Sequence, residues 1–200
     1  MLFGKKKSFS GNFDFIVVGL GNPGIRYQNT RHNVGFMAAD ALAEKIGVEF
    51  KPSKFKSLIA DGKIGDKRVL IMKPETFMNL SGEAVLKAMN FYKVMPEKVI
   101  VIFDDITLDI GRLRIRAKGS DGGPRGMRNI IELGAVDTFP RIKLGVGQKP
   151  HPDYDTKDWV LSKFSPKESE IILQSSKDAA DAAEFIIKSD ISTAMNKFNK

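Results

Sequence analysis

The chain has 200 residues, 42% of them hydrophobic, which suits one globular domain with a sizeable core and is short for two. The absence of cysteine excludes a thiol nucleophile, a disulfide framework and a cysteine-based zinc site, and only two histidines, His32 and His151, are available as metal ligands. The net charge of +8 favours a polyanionic partner, and the lack of a signal peptide or of any apolar run near the ~18 residues of a membrane span predicts a cytoplasmic protein.

An apolar run that ends in a glycine turn opens the predicted domain, after a basic leader at residues 1–12 that need not be ordered. Residues 15–18 are β-formers without a polar interruption, the pattern of a strand buried on both faces of an α/β sheet. Residues 19–33 then form a long polar loop beyond the carboxyl end of that strand, where open α/β sheets bind ligands. We therefore predict the functional site at this loop, which carries His32.

The same loop contains the spacing of the G-x-G-x-x-G dinucleotide fingerprint, at Gly19, Gly21 and Gly24. That fingerprint requires a helix that starts at the last glycine and presents its first-turn N–H groups to the pyrophosphate. Helical periodicity begins only near Val34 and continues to Ile46, after a polar stretch without such a period. A nicotinamide or flavin enzyme is therefore the weakest of the alternatives.

The next elements are a hairpin, a helix and a second buried strand, predicted at residues 55–62 with 67–72, 82–92 and 98–103. Asn79 or Ser81 is a candidate N-cap for the helix. Asp104 and Asp105 end the buried strand. If that strand is parallel to the first, a carboxylate lies at the same sheet edge as His32; otherwise the two acids simply begin a turn.

A run of alternating basic and apolar residues follows and predicts a strand with one basic face and one core face. The basic face holds Arg112, Arg114, Arg116 and Lys118. The core face holds Leu113, Ile115 and Ala117. Because four neighbouring like charges repel one another unless an anion neutralises them, we predict that this face binds phosphate. The alternative is a solvated strand whose charges protect a sheet edge.

The last third of the chain is predicted to contain a glycine-rich connection, two helices, a strand and a loop. In chain order these are the connection 119–126, a helix at 127–133, a strand at 142–146, a proline-containing loop at 148–158 placed to cover the site, and a helix from Ser165 to Lys188. His151 is expected to be a solvated loop residue. The alternation of strands and helices predicts an α/β fold, a single three-layer domain at residues 13–200 with a mixed, mostly parallel central sheet flanked by helices.

Several motifs of the chain, considered together, resemble those of the bacterial peptidyl-tRNA hydrolase family. They are VVGLGNPG, TRHNVGF, KPETFMNLSG, the strand that ends in DD, the glycine-rich loop and RIKLGVG, and they spread over residues 14–198. The resemblance implies a hydrolase of the ester between a peptide and the 3′-terminal ribose of tRNA, without cofactor or metal. It further implies a monomer that contacts the acceptor stem and 3′ end of peptidyl-tRNA, with no membrane and no obligatory protein partner.

The resemblance also assigns roles to individual residues. By similarity, His32 is the general base that activates water, Asp104 orients and stabilises its imidazole, and Asn22 contacts the substrate near the scissile ester. The substrate-binding positions are Tyr27, Phe77 and Asn79. The positions that contact tRNA phosphate are Arg116 and Lys143, to which the basic strand adds Arg114. A histidine with an ordinary pKa of about 6.5 suits ester hydrolysis, and the absence of an evident serine nucleophile elbow favours direct attack by water.

One position departs from the family pattern. The glycine-rich loop usually carries a His-Asn pair between its glycines, and this chain has Pro124 and Arg125 instead. Arg125 is therefore expected to bind substrate in a different way from the asparagine. The departure also keeps open a second hypothesis, in which the chain is a catalytically silent RNA-binding relative with the same fold.

Overall fold

The computed structural model describes residues 11–199, so the predicted leader lies outside the described residues apart from Gly11 and Asn12. The strands are β1 Phe15–Gly19, β2 Lys51–Ser53, β3 Ser57–Ile64, β4 Lys67–Pro74, β5 Val99–Asp105, β6 Leu113–Arg116 and β7 Arg141–Gly145. The helices are α1 Val34–Lys45, α2 Ser81–Tyr92, α3 Arg125–Gly134, α4 Thr156–Leu161, α5 Pro166–Lys188 and α6 Ile191–Phe198.

The seven strands form one mixed sheet in the order β2-β3-β4-β1-β5-β7-β6. Its four central strands are parallel, while the β2–β3, β3–β4 and β6–β7 pairs are antiparallel. The predicted fold class is therefore confirmed. Because β1 and β5 are parallel neighbours, with Gly19 opposite Ile102, the 19–33 loop and Asp104 emerge at the same edge of the sheet.

The sheet separates two hydrophobic layers, and β1 contributes to both. Phe15 and Val17 pack in the layer that contains α1, α5 and α6, whereas Ile16 and Val18 pack in the layer that contains α2 and α3. A strand in this position needs apolar side chains on both faces, which explains its uninterrupted apolar run. Within residues 11–199, no helix is long and apolar enough to cross a membrane.

Three short elements differ from the sequence-based expectation. The pattern did not reveal β2, α4 or α6, since β2 has only three residues and contains Pro52, and α4 has only six. Helices α4 and α6 each begin at an aspartate N-cap, Asp155 and Asp190 respectively, and each carboxylate accepts first-turn N–H groups. The expectation that Ala117 faces the core was wrong, because β6 ends at Arg116 and Ala117 is exposed.

The start of α5 follows the sequence signal closely. Ser165 is the N-cap, Pro166 is the first helical residue and Glu168 completes a capping box. The start of α2 does not follow it. Its N-cap is Leu80, without a side-chain hydrogen bond, and the Ser81 hydroxyl donates to the carbonyl of Met78. The predicted capping role of Asn79 or Ser81 was therefore wrong.

Candidate active site

A cleft of about 400 Å³ opens at the carboxyl ends of β1 and β5. It is lined by every residue that was predicted to be catalytic or substrate-binding: Asn22, Tyr27, His32, Phe77, Asn79, Asp104 and Arg125. The chain reaches this edge from the 19–33 loop, the segment before α2, the end of β5 and the glycine-rich loop. Four separate parts of the sequence thus converge on one cavity, and the parallel order of β1 and β5 accounts for two of them.

His32 and Asp104 form the polar centre of the cleft. His32 lies in a single 3-10 turn, Arg31–Asn33, directly before α1, and its Nδ1 is 2.8 Å from Oδ1 of Asp104. The aspartate side chain is 2% exposed, whereas the imidazole retains 12% exposure. Its Nε2 makes no hydrogen bond to residues 11–199. With Nδ1–H donating to the carboxylate, Nε2 is the nitrogen that can accept a proton.

The surroundings of His32 act on its basicity in opposite directions. Burial alone would lower the pKa of His32, but the charge and the hydrogen bond of Asp104 outweigh this effect and raise the pKa above its ordinary value. The positive charge of Arg125 works against that rise. The imidazole is therefore suited to exchange a proton near neutral pH, as general acid–base catalysis requires.

Asn22 is held so that one end of its side-chain amide remains available. Its Oδ1 accepts the N–H of Met78 at 2.9 Å, which fixes the orientation of the amide because an N–H can only donate. The Nδ2 group makes no hydrogen bond within the described chain. The backbone of Asn22 is clamped by Asn33, whose Oδ1 accepts its N–H at 2.9 Å and whose Nδ2 donates to its carbonyl at 3.0 Å.

Tyr27, Phe77 and Asn79 provide the outer part of the cleft. Phe77 is 50% exposed and meets the Tyr27 ring edge-to-face, with a centroid separation of 6.5 Å. Exposed aromatic rings of this kind offer a surface on which a base or an apolar side chain can pack. Asn79 is exposed, and its side chain makes no hydrogen bond to any described residue. Its amide is therefore free to contact a ligand.

The predicted phosphate-binding residues lie together on β6 and β7, beside the cleft. Arg114 is paired with Lys143 in the strand register, and Arg116 is exposed at the end of β6. Lys143 is more confined than expected, because its side chain is 15% exposed and its Nζ lies 3.0 Å from Oδ2 of Asp105. Burial would raise the pKa of Asp105, but its bonds to Thr107 and Lys143 lower it. Lys143 lies behind the glycine-rich loop, with its Nζ against Gly122.

The covering segment lines the cleft as predicted, but part of it is helical rather than irregular. Helix α4 contributes Thr156, Lys157, Val160 and Leu161 to the wall. His151 lies before this helix and is exposed, as expected. The only sequence signal for the helix is Asp155, whose carboxylate accepts the N–H groups of Lys157 and Asp158.

Arg31, the neighbour of His32, fastens this wall to the sheet. Its guanidinium is 3.8 Å from the centroid of the Trp159 ring and donates to the carbonyl of Val146, to Ser162 and to Glu168. The side chain is 4% exposed. The burial of Arg31 could not be inferred from the local sequence, because its hydrogen-bond partners come from distant parts of the chain.

The polar groups of the cleft define its chemistry. A hydrogen-bonded His-Asp pair with a free Nε2 can activate water, and the neighbouring Nδ2 group of Asn22 can donate to a developing oxyanion. Among residues 11–199, no group of three or more histidine, aspartate or glutamate side chains is placed to hold a metal ion. The arrangement fits the hydrolysis of a carboxylic ester or amide.

Comparison with known proteins gives one consistent result. Residues 16–200 match the profile of the family described as peptidyl-tRNA hydrolase. A peptidyl-tRNA hydrolase of Clostridium botulinum (strain Alaska E43 / Type E3) is 50% identical over 185 residues, covering 92% of this chain and 95% of that protein. Another, from Clostridium novyi (strain NT), is 49% identical and covers 92% of this chain and 97% of that protein. The crystal structure of peptidyl-tRNA hydrolase from Acinetobacter baumannii has a TM-score of 0.87 and 30% identity, covering 95% of this chain and 97% of that one.

Proposed function

The chain belongs to the peptidyl-tRNA hydrolase family, and we propose that its cleft cleaves the ester between a peptide and the 3′-terminal ribose of tRNA with His32 as the general base. The observation that carries the mechanism is the 2.8 Å contact between His32 Nδ1 and Asp104, which leaves Nε2 free in the cleft. The assay that tests the function is release of the peptide from N-blocked aminoacyl-tRNA. Activity should require neither an added metal nor a cofactor.

The reaction follows from the geometry in two steps. His32 Nε2 removes a proton from water while the water oxygen attacks the ester carbonyl, and Asp104 stabilises the imidazolium that forms. The Nδ2 group of Asn22 donates to the oxyanion. The bond to the ribose oxygen then breaks, and the imidazolium returns its proton to that oxygen. The products are free tRNA and the peptide carboxylic acid, which releases its remaining proton to solvent and becomes a carboxylate.

Two other hypotheses are separated by the same assay. A catalytically silent RNA-binding relative would bind tRNA without releasing peptide. A dinucleotide enzyme would bind NADH, but the segment after Gly24 is a 3-10 turn, Ile25–Tyr27, and α1 begins only at Val34. No helix N-terminus therefore follows the last glycine of the fingerprint. We further propose that the enzyme is a cytoplasmic monomer that contacts the acceptor stem, and sedimentation with and without tRNA tests the oligomeric state.

Removal of Arg114 and Arg116 should weaken binding of tRNA in a salt-dependent way. The two guanidinium groups lie on β6 beside the cleft, and each phosphate contact that is lost should reduce the slope of log K against log salt by about one. We expect the Arg114→Ala/Arg116→Ala variant to show this flatter slope in a titration with deacylated tRNA at several salt concentrations.

A minimal ester substrate without the tRNA body provides the control for this variant. Its hydrolysis should proceed as in the wild type, because β6 does not line the cleft. An unchanged salt slope would instead show that the basic side chains of β6 do not contact tRNA and are solvated charges that protect the sheet edge.

Removal of the Asn33 clamp should lower both stability and turnover. Asn33→Ala loses two buried hydrogen bonds to the backbone of Asn22 and leaves the Asn22 N–H and carbonyl unpaired, at a cost of about 1–3 kcal/mol. We expect kcat to fall by roughly tenfold, because the Asn22 amide loses its fixed position. Urea unfolding and peptide-release kinetics measure the two effects.

Asn129→Ala is a matched control for this loss. Asn129 also uses its side chain to bind backbone, accepting the N–H of Gly82 at 2.8 Å, but it does not line the cleft. Asn129 makes one partly buried hydrogen bond where Asn33 makes two buried ones, so the variant should lose somewhat less stability and keep kcat. If the two variants had the same kcat, the clamp would matter for folding alone.

A further inference from the structure

Arg125 is the first residue of α3 and lines the cleft together with His32. Two neighbouring cations are paired with carboxylates, Arg128 with Asp121 and Lys143 with Asp105. Arg125, by contrast, makes no ion pair and no side-chain hydrogen bond with residues 11–199, and it is exposed. Its charge is therefore not cancelled locally and acts on the other groups of the cleft.

The charges that face His32 come from four parts of the fold. Asp104, on β5, contacts the imidazole directly. Lys157, on α4, also lines the cleft. Arg31, next to His32 in the chain, is neutralised by Glu168. Asp105 follows Asp104 but is paired with Lys143. Of these charges, Asp104 raises the pKa of His32 and Arg125 lowers it.

We propose that Arg125 acts through His32, by favouring the neutral, proton-accepting form of its imidazole over the imidazolium. The effect of Arg125 on His32 does not depend on the proposed function, but its effect on catalysis does, since a general base must be neutral to accept a proton. A like charge disfavours the protonated form, whereas the asparagine expected from the family pattern carries no charge. Arg125 thus offsets part of the effect of Asp104, which would otherwise hold the imidazole protonated at higher pH.

The charge of Arg125 also predicts how the pH profile changes. Without the charge of Arg125, the pKa of His32 should rise, so the acidic limb of kcat/KM should move to higher pH. For one exposed charge near the imidazole we expect a move of about 0.3–1 pH unit, smaller at high salt. At a pH below the limb, this corresponds to a roughly two- to tenfold loss of kcat/KM.

The test compares Arg125→Asn with Arg125→Lys in the full chain. The first measurement is an NMR titration of the imidazoles, which needs no substrate, and the two histidines of the sequence make the assignment simple. His151 is exposed outside the cleft and serves as the internal reference. The second measurement is the pH profile of peptide release from a minimal N-blocked ester substrate, so that tRNA binding does not contribute.

Lys93→Asn is the control for a change in net charge. Lys93 is exposed and follows α2 at a left-handed position, with a φ of 56°, which asparagine tolerates. It lies at the far end of α2 from the residues that line the cleft, roughly 18 Å along the helix. Its replacement should leave the titration of His32 unchanged.

The outcomes separate this inference from the proposed mechanism. Arg125→Asn should raise the titration midpoint of His32, and Arg125→Lys should keep it near the wild-type value. Coincident midpoints for Arg125→Asn and wild type would overturn the inference, as would a lysine variant that titrates like the asparagine variant. If the midpoint of His32 moved while the acidic limb stayed in place, Arg125 would have the inferred effect and His32 would not be the general base.

Discussion

His32→Ala is expected to lower kcat by about 10²-fold or more while leaving the affinity for tRNA nearly intact, since general-base catalysis typically contributes 10²–10⁴. The side chain lies at the centre of the cleft, with Nδ1 bound to Asp104 and Nε2 free. No other described histidine is near, because His151 lies outside the cleft. Single-turnover release of peptide and a separate binding titration with deacylated tRNA measure the two quantities.

Two variants make this result specific to the imidazole. Asp104→Asn keeps the shape of the pair but removes the charge that stabilises the imidazolium, so its effect on kcat should be similar or milder. His151→Ala removes an exposed histidine outside the cleft and should retain full activity. Wild-type turnover by His32→Ala would rule out the proposed mechanism, whatever the fold.

The order of the sheet explains why the sequence predicted this pair. An uninterrupted apolar run marks β1, and a second one, ending in two aspartates, marks β5. Parallel pairing then places the 19–33 loop and Asp104 at one edge. The local pattern placed an acid near His32 only on the condition that the two strands were parallel, and the structure meets that condition. The choice of Asp104 and the residue roles came from the family resemblance and stay predictions, while the cleft gathers the catalytic and substrate-binding candidates.

The parts of the site that were missed depend on contacts between distant segments. The clamp of Asn33 on Asn22 joins the end of the loop back to its start. Lys143 alternates with apolar residues as an exposed lysine would, yet its Nζ is paired with Asp105 and lies under the glycine-rich loop. A Cβ at Gly122 would collide with this Nζ. Helix α4 is short, and Arg31 fixes it through partners over a hundred positions away. Such pairings leave no periodic trace in the sequence.

Gly35→Ala is expected to destabilise the protein by about 3 kcal/mol or more and to reduce turnover further in whatever remains folded. Gly35 is the second residue of α1, and a Cβ there would overlap the carbonyl oxygens of Leu20 and Ile102. Those two residues share a hydrogen bond at the edge of the sheet that carries the cleft, with Leu20 N donating to Ile102 O at 2.9 Å. Backbone atoms of two central strands cannot move aside as a flexible side chain would.

A helical glycine with room around it provides the comparison for Gly35. Gly134, at the end of α3, would bring a Cβ no closer than 3.4 Å to Leu86 and 3.5 Å to Phe139, which is ordinary contact. Gly134→Ala should therefore be neutral or stabilise by up to about 1 kcal/mol, as alanine does in helices. Urea unfolding of both variants measures the difference. Helix α1 begins two residues after His32, so its packing against the strands should position His32 against Asp104. A Gly35→Ala protein with wild-type stability and turnover would contradict this, because the helix could then move away from the strands without displacing His32.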